Sequence, residues 1–251
     1  MYLNFNMNKI RKIIVIGATS GLGRGLAERY MAEGYTVGLV GRREAVLKEM
    51  AEGKSNVLFQ VADVTDINMI GKLLQNLLER MGGMDRLVLC SGVGRMNPSL
   101  DYGLELPTID TNVRGWTAVV DWAFGYFMSQ RYGHLAAISS VAGIRGLAPA
   151  PAYAASKAYQ IHYLDSLRQR ADIAKYPVYV TDIRPGFVRT PLLSAPDKLF
   201  WVDKPEKAVS AIYKVIALKK RKAVITRRWA LLVPWMRIAP DWVVEAILSK
   251  A

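Results

Sequence analysis

Short apolar runs rich in β-branched residues alternate along the chain with longer segments whose apolar positions recur every three or four residues. Runs at 12–16 (KIIVI), 36–40 (TVGLV) and 57–61 (VLFQV) predict three strands, and DRLVLC ahead of Ser91 predicts a fourth. A fifth starts at Gly133-His134 and runs through LAAIS, a sixth covers 179–183, and a seventh covers 223–226. Between them, helical periodicity follows the first strand (LAERYMAEG) and marks 69–80, 107–130, the stretch after Pro151 and 205–218. Regular strand-helix alternation predicts an α/β architecture, a doubly wound parallel seven-stranded sheet with helices on both faces. With no internal repeat and no low-complexity linker, 251 residues fit a single domain, taken as 1–226, followed by a hydrophobic and basic extension, 227–251.

Several joints of this pattern carry candidate chemistry. The first strand runs into GATSGLGRG, spaced Gly17-x-x-x-Gly21-x-Gly23, and then into a helix. In that context the backbone approaches a phosphate closely and the helix N-terminus attracts it. A carboxylate at the end of the second strand would bond the ribose hydroxyls of an adenosine, but Gly41 stands there, followed by Arg42 and Arg43. A guanidinium at that place pairs with a 2′-phosphate, which favours NADP(H) over NAD(H). Asp63, after the third strand, either caps a helix starting near Asp66 or meets the adenine amino group. Cys90 belongs to an apolar strand and reads as an inert core thiol.

The segment 138–157, ISSVAGIRGLAPAPAYAASK, sets Ser140, Tyr153 and Lys157 in order. On a helix, residues four apart share a face, so Lys157 reaches back over Tyr153, and a nearby cation lowers a phenol's pKa. Chance alone yields roughly 0.7 Y-x-x-x-K matches in such a chain, so the pair acquires meaning only from its surroundings. Asn112, inside the apolar helix predicted over 107–130, suits a buried polar role better than a helical one.

Composition narrows the class. Hydrophobic residues make up 51% and charged residues 22%, a globular balance. One cysteine excludes an intrachain disulfide. Two histidines, His134 and His162, without C-x-x-C or H-E-x-x-H spacing, argue against a protein-ligated metal. No apolar stretch approaches the roughly 20 residues that span a bilayer, and the N-terminus lacks a charged region ahead of a long apolar run. A cytoplasmic protein is expected, with possible peripheral contact at the inner face of a membrane. Of the net charge of +13, residues 198–251 carry 12 basic and 4 acidic side chains, including Lys219, Lys220, Arg221 and Lys222. With no nucleic-acid reader motif, a solvated basic face is expected and no nucleic-acid partner.

Taken together, these pieces resemble the short-chain dehydrogenase/reductase family in its single-domain form of about this length. The resemblance rests on Gly17-x-x-x-Gly21-x-Gly23, Asp63, the loop ending in Gly92, Asn112, Ser140, Tyr153-x-x-x-Lys157 and Pro185-Gly186 with Thr190. Ser140 and Tyr153 stand thirteen apart, as in the family. It implies a Rossmann-type NADP-binding domain and hydride transfer between nicotinamide and a carbonyl or secondary alcohol. Tyr153 is then the general acid/base, Ser140 positions the substrate oxygen, Lys157 holds the nicotinamide ribose and tunes the phenol, and Asn112 anchors a relay water. Gly17, Thr19, Ser20, Gly21, Leu22 and Gly23 would cradle the phosphates, with Arg42, Asp63 and Val64 toward the adenosine. Ser91 and Gly92, and on the other side Pro185, Gly186, Val188 and Thr190, would flank the nicotinamide half. Two departures are visible: Ile16 stands where the family carries threonine, and Leu89-Cys90-Ser91-Gly92 replaces Asn-Asn-Ala-Gly. A homodimer or homotetramer is implied, and a binding scaffold without turnover is the alternative.

Residues 187–203 are irregular and mixed apolar, as a substrate lid would be. Arg95, Met96, Arg145, Leu147, Phe187 and Trp201 are candidates for a mainly apolar pocket around a small-molecule carbonyl or alcohol. In the tail, Trp229, Trp235 and Trp242 alternate with arginines and two prolines. Packing or an oligomer contact is one reading, and peripheral membrane contact is the other.

Overall fold

The computed structural model describes residues 12–193 and 201–243. Its strands are β1 (Lys12–Ile16), β2 (Thr36–Gly41), β3 (Val57–Val61), β4 (Arg86–Leu89), β5 (Gly133–Ile138), β6 (Val178–Pro185) and β7 (Lys222–Ile225). All pair in parallel, in the order β3-β2-β1-β4-β5-β6-β7. The chain walks outward from β1 to β3 and then returns to place β4 on the other side of β1. A crevice therefore opens at the carboxyl ends of β1 and β4, where open sheets of this kind take their ligands.

The helices are α1 (Gly21–Ala32), α2 (Glu44–Ala51), α3 (Ile70–Met81), α4 (Tyr102–Ile109), α5 (Trp116–Gln130), α6 (Pro151–Ala174), α7 (Pro205–Ala217) and α8 (Arg227–Ile238). Strand β1 shows why both faces must be covered. Ile14 and Ile16 bury into one core with Leu74, Leu77, Trp116, Phe127 and Leu164, from α3, α5 and α6. Ile13 and Val15 bury into the other with Leu26, Tyr30, Leu47 and Ile212, from α1, α2 and α7. Each such side chain contributes about 1.5–3 kcal/mol on burial, so a strand with four consecutive apolar residues is stable only between two helical layers.

The predicted strands recur within one or two residues. The helix expected over 107–130 differs more. It starts at Tyr102, capped by Asp101, whose carboxylate accepts from Gly103 N at 2.8 Å, and it tolerates Pro107 inside α4. Between α4 and α5 the residues Asp110–Gly115 form a π-helical segment. Insertions of this kind are frequent at functional sites, and this one carries Asn112.

The C-terminal extension does not stand apart. Trp229 and Val233 on α8 are buried with Val141, against Phe187, Val224 and Met236. Residues 194–200 of the expected lid lie outside the described residues; on either side of them, Phe187 and Trp201 both pack edge-on against Trp229. The basic run sits at the other end of β7, where Arg221 pairs with Asp172 at 2.6 Å, Lys222 with Asp165 at 2.9 Å, and Lys219 covers the Tyr179 ring at 4.1 Å. Among the described residues no helix is long and apolar enough to cross a membrane, and no group of three or more His, Cys, Asp or Glu is placed to hold a metal ion.

Candidate active site

Where β1 ends, Gly17 turns with φ +83° and Gly21 with φ +53°, backbone that favours glycine. Gly17 N donates to Val40 O at 2.9 Å, which ties the turn to β2. A Cβ on Gly23 would lie 2.2 Å from Gly17 O, so α1 approaches the turn as closely as backbone allows. Ser20 is the N-cap of α1 without a side-chain bond to it, leaving the helix N-terminus available to an anion. Across the crevice Thr190 lies about a side-chain contact from Gly21, and the buried hydroxyl of Ser91 has no protein partner among the described residues. A glycine cradle, an uncapped helix end and an orphaned hydroxyl together fit a dinucleotide.

At the end of β2, Gly41 is followed by two guanidinium groups. Arg43 donates from Nε and Nη2 to Thr19 Oγ1 at 3.1 and 2.9 Å, while exposed Arg42 meets Asp63 at 3.3 Å. Asp63 caps its own turn: Oδ1 accepts from Thr65 N and Oγ1 at 3.0 and 2.9 Å, and α3 begins only at Ile70. Burial opposes its ionisation, but the Thr65 and Arg42 bonds outweigh that and hold the carboxyl below its ordinary range. Val64 is buried behind it.

The segment after β5 brings the other candidates together. Ser140 caps a 3₁₀ turn, Val141–Gly143, its Oγ accepting from Ala142 N at 3.1 Å. Helix α6 starts with Pro151 in its first turn, a preorganised entry, so Tyr153 and Lys157 fall one turn apart. The Tyr153 ring lies flush against Gly94, where a Cβ would sit 2.5 Å from its Cδ2. Lys157 Nζ donates to Ile138 O at 3.1 Å and to Gln160 Oε1 at 3.0 Å, and stands 5.8 Å from the Tyr153 ring centroid. Asn112 grips the loop after β4: Oδ1 accepts from Val93 N at 2.9 Å, and Nδ2 donates to Val93 O at 2.7 Å and Ser156 Oγ at 3.0 Å. Gly92 lies between Asn112 and Lys157.

The electrostatics differ from the expectation that Lys157 lowers the phenol's pKa. Burial pushes Tyr153 above its ordinary value, with a hydrogen bond from Ser140 in opposition. The Lys157 ammonium spends two protons on Ile138 and Gln160 and is itself pushed down to about 8 by burial, with Asp182 and Cys90 opposing. Half-buried Cys90 is pushed up to about 12, in keeping with an inert thiol.

Three features escaped the pattern reading. Gln160 is a fully buried amide three residues beyond Lys157, and its position one turn on from Ser156 and Lys157 was its available signal. Asp182 and Arg184 form a buried pair at 2.6 Å, with Ser139 Oγ donating to Asp182 at 2.5 Å; alternating charges inside a parallel strand could have marked it. Arg145, a candidate pocket residue, has contacts to the C-terminal helix that the pattern did not suggest. Its Nη1 donates to Met236 O at 3.1 Å and Ala239 O at 2.5 Å, and its Nη2 pairs with Asp241, which fastens the end of α8 to the Ser140–Tyr153 segment. Met96 is exposed.

A sheet of this order with a glycine turn at its switch point has the form of a dinucleotide-binding fold, and the Ser140 hydroxyl, the Tyr153 phenol and the Lys157 ammonium lie on the segment that follows β5. The chain belongs to the short-chain dehydrogenase family, whose model, described as short chain dehydrogenase, matches residues 11–198. It is accordingly an oxidoreductase that uses a nicotinamide cofactor. An uncharacterised oxidoreductase of Mycobacterium tuberculosis is 32% identical over 241 residues, 92% of this chain and 94% of the relative. A serine dehydrogenase from Escherichia coli superposes with a TM-score of 0.72 at 27% identity, over 85% of this chain and 95% of that one. The structure titled ElxO with NADP bound shares the fold, with a TM-score of 0.76 at 16% identity over 86% of this chain and 97% of that one.

Proposed function

We propose that the protein is an NADPH-preferring carbonyl reductase in which Tyr153 delivers the proton. The observation that carries this is the buried Lys157 ammonium, which commits two N–H groups to Ile138 O and Gln160 Oε1 and keeps a third for a ligand beside Tyr153. When bound, the cofactor supplies the hydride to the carbonyl carbon. Ser140 donates a hydrogen bond to the substrate oxygen, and the Tyr153 hydroxyl gives it a proton as negative charge develops there. A phenol kept protonated by burial is in the form that donates to a carbonyl oxygen. Lys157 holds the nicotinamide ribose with its remaining N–H. Asn112 fixes the loop 91–94 against which the nicotinamide half rests.

Preference for the 2′-phosphate follows from Gly41, which brings no carboxylate to the adenosine ribose, and from the two adjacent guanidinium groups of Arg42 and Arg43. Phe187, Trp201 and the α8 cluster make one wall apolar, which suits a partly apolar substrate. Turnover across a carbonyl panel with NADPH and with NADH, in wild type and Tyr153→Phe, tests the reading. Loss of about 10²- to 10⁴-fold in turnover is expected for the variant. Retained activity would sink the mechanism, no turnover by wild type on any carbonyl would favour the binding scaffold, and faster turnover with NADH would sink the role of Arg42.

The tail supports a second reading about location. Leu231, Trp235 and Ile238 follow one face of α8 and Trp242 stands beyond it, all exposed, while Trp229 points inward. With exposed Arg228 nearby and a net charge of +13, this stripe fits the interface of an anionic bilayer. Co-sedimentation with anionic vesicles should fall in Trp235→Ala/Trp242→Ala. Equal recovery of both proteins, or a dimer in light scattering that the substitutions break, would assign the stripe to a second copy instead.

A further inference from the structure

Gln160 is completely buried yet polar, and both ends of its amide are spoken for. Its Oε1 accepts from Lys157 Nζ at 3.0 Å, and its Nε2 donates to the main-chain oxygen of Asn112 at 2.9 Å. Only one orientation is possible. An ammonium can only donate and a carbonyl oxygen can only accept, so the flipped amide would set NH₂ against NH₃⁺ and oxygen against oxygen. The bridge joins two elements far apart in sequence, the π-helical segment Asp110–Gly115 and α6, at the point where each presents a candidate site residue.

We propose that Gln160 is a positioning residue for Lys157, its amide locked between Asn112 O and Lys157 Nζ so that the ammonium stays charged and keeps its remaining N–H aimed at the cofactor. This rests on the reading of Tyr153 and Lys157 as the proton-transfer pair. The groups around the ammonium explain why an amide matters there. Asp182 faces it from β6, but its carboxylate is already held by Arg184 and Ser139. Cys90, beyond β4, and Tyr153, on the same helix, are both kept protonated by burial. The carbonyl oxygens of Ile138 and Gln160 are thus the atoms that receive the ammonium's protons directly.

The test titrates Lys157 directly, by NMR of lysine labelled with ¹⁵N at Nζ in the full chain without cofactor, the signal being identified by its loss in Lys157→Met. Gln160→Leu should lower the Lys157 midpoint by about one pH unit, and Gln160→Glu should raise it by about one. The alkaline limb of kcat/KM should move with each, and KM for NADPH should rise about tenfold in Gln160→Leu with a smaller change in kcat. Shifts in the same direction for both variants, or none, would overturn the proposal, since a purely packing role does not distinguish a carboxylate from an alkyl group by sign. Should Gln160→Leu fail to fold by circular dichroism, the upward shift in Gln160→Glu decides alone. If the midpoints move as stated while Tyr153→Phe keeps its turnover, the function reading fails and the hold of Gln160 on Lys157 stands.

Discussion

Asp182 offers a perturbation whose size can be worked from the structure. It is fully buried on β6, and its carboxylate accepts from Ser139 Oγ at 2.5 Å and from Arg184 Nε and Nη2 at 2.7 and 2.6 Å. Asp182→Asn keeps the shape and removes the charge, leaving the Arg184 guanidinium buried without an anion. Breaking one partner of such a pair costs about 3–5 kcal/mol, because the desolvation penalty of the survivor is no longer offset. For a chain of this size each kcal/mol lowers Tm by about 2–4 °C, so the melting temperature should fall by roughly 6–20 °C. Removing both charges in Asp182→Leu/Arg184→Met should recover most of that loss, since neither ion is then left in an apolar interior, and Ser139 Oγ keeps its bond to Ile183 O at 3.2 Å. Urea unfolding, followed by circular dichroism at constant m-value, measures both. A single variant that loses under about 1 kcal/mol, or a double variant less stable than the single, would refute the reasoning. Asp182 also helps keep Lys157 charged, so the alkaline limit of turnover in Asp182→Asn should move to lower pH.

Three further expectations follow from particular contacts. Gly23→Ala places a methyl 2.2 Å from Gly17 O and should shift the glycine turn, weakening NADPH binding by tenfold or more in a fluorescence titration; unchanged affinity would contradict the assigned cradle. Lys157, ordinarily near 10.5 and held down to about 8, binds fewer protons in the folded than in the unfolded chain between those values. Its contribution to stability should therefore rise from pH 8 toward 10.5, and the slope should flatten in Lys157→Met by unfolding free energies across that window. Arg145→Met removes the fastening of α8 and should speed amide exchange across 227–238 while sparing β1 to β5; uniform protection would mean that Trp229 alone holds the helix.

Local signals made much of this protein readable before folding. Short unbroken apolar runs mark strands buried on both faces, as the four residues Ile13 to Ile16 do, because a parallel sheet between helical layers accommodates them. Gly17, Gly21 and Gly23 were legible because the turn needs positive φ and close backbone approach, properties a residue carries by itself. Ser140, Tyr153 and Lys157 were legible because one strand end and one helix turn place them, and both are short-range. The π-helical segment around Asn112 was not, since it depends on Val93 and Ser156 at distances of 19 and 44 residues along the chain. Nor was the inward turn of Trp229 onto Gly186, which distinguishes it from Trp235 although both stand among arginines and apolar residues.

The sequence by itself thus determined the order of strands and helices, the glycine turn after β1 and the placement of Ser140, Tyr153 and Lys157 at one strand end and one helix start, each a matter of local conformation. Only the tertiary structure decided the protonation balance among those groups. Burial raises Tyr153 and lowers Lys157, and Asp182 and Arg184 from β6, Asn112 from the π-helical segment and Gln160 from α6 itself set which hydrogen bonds remain to hold the charge. Desolvation and hydrogen-bond partnership belong to the assembled interior, which is why a spacing such as Y-x-x-x-K names the pair without stating its acidity.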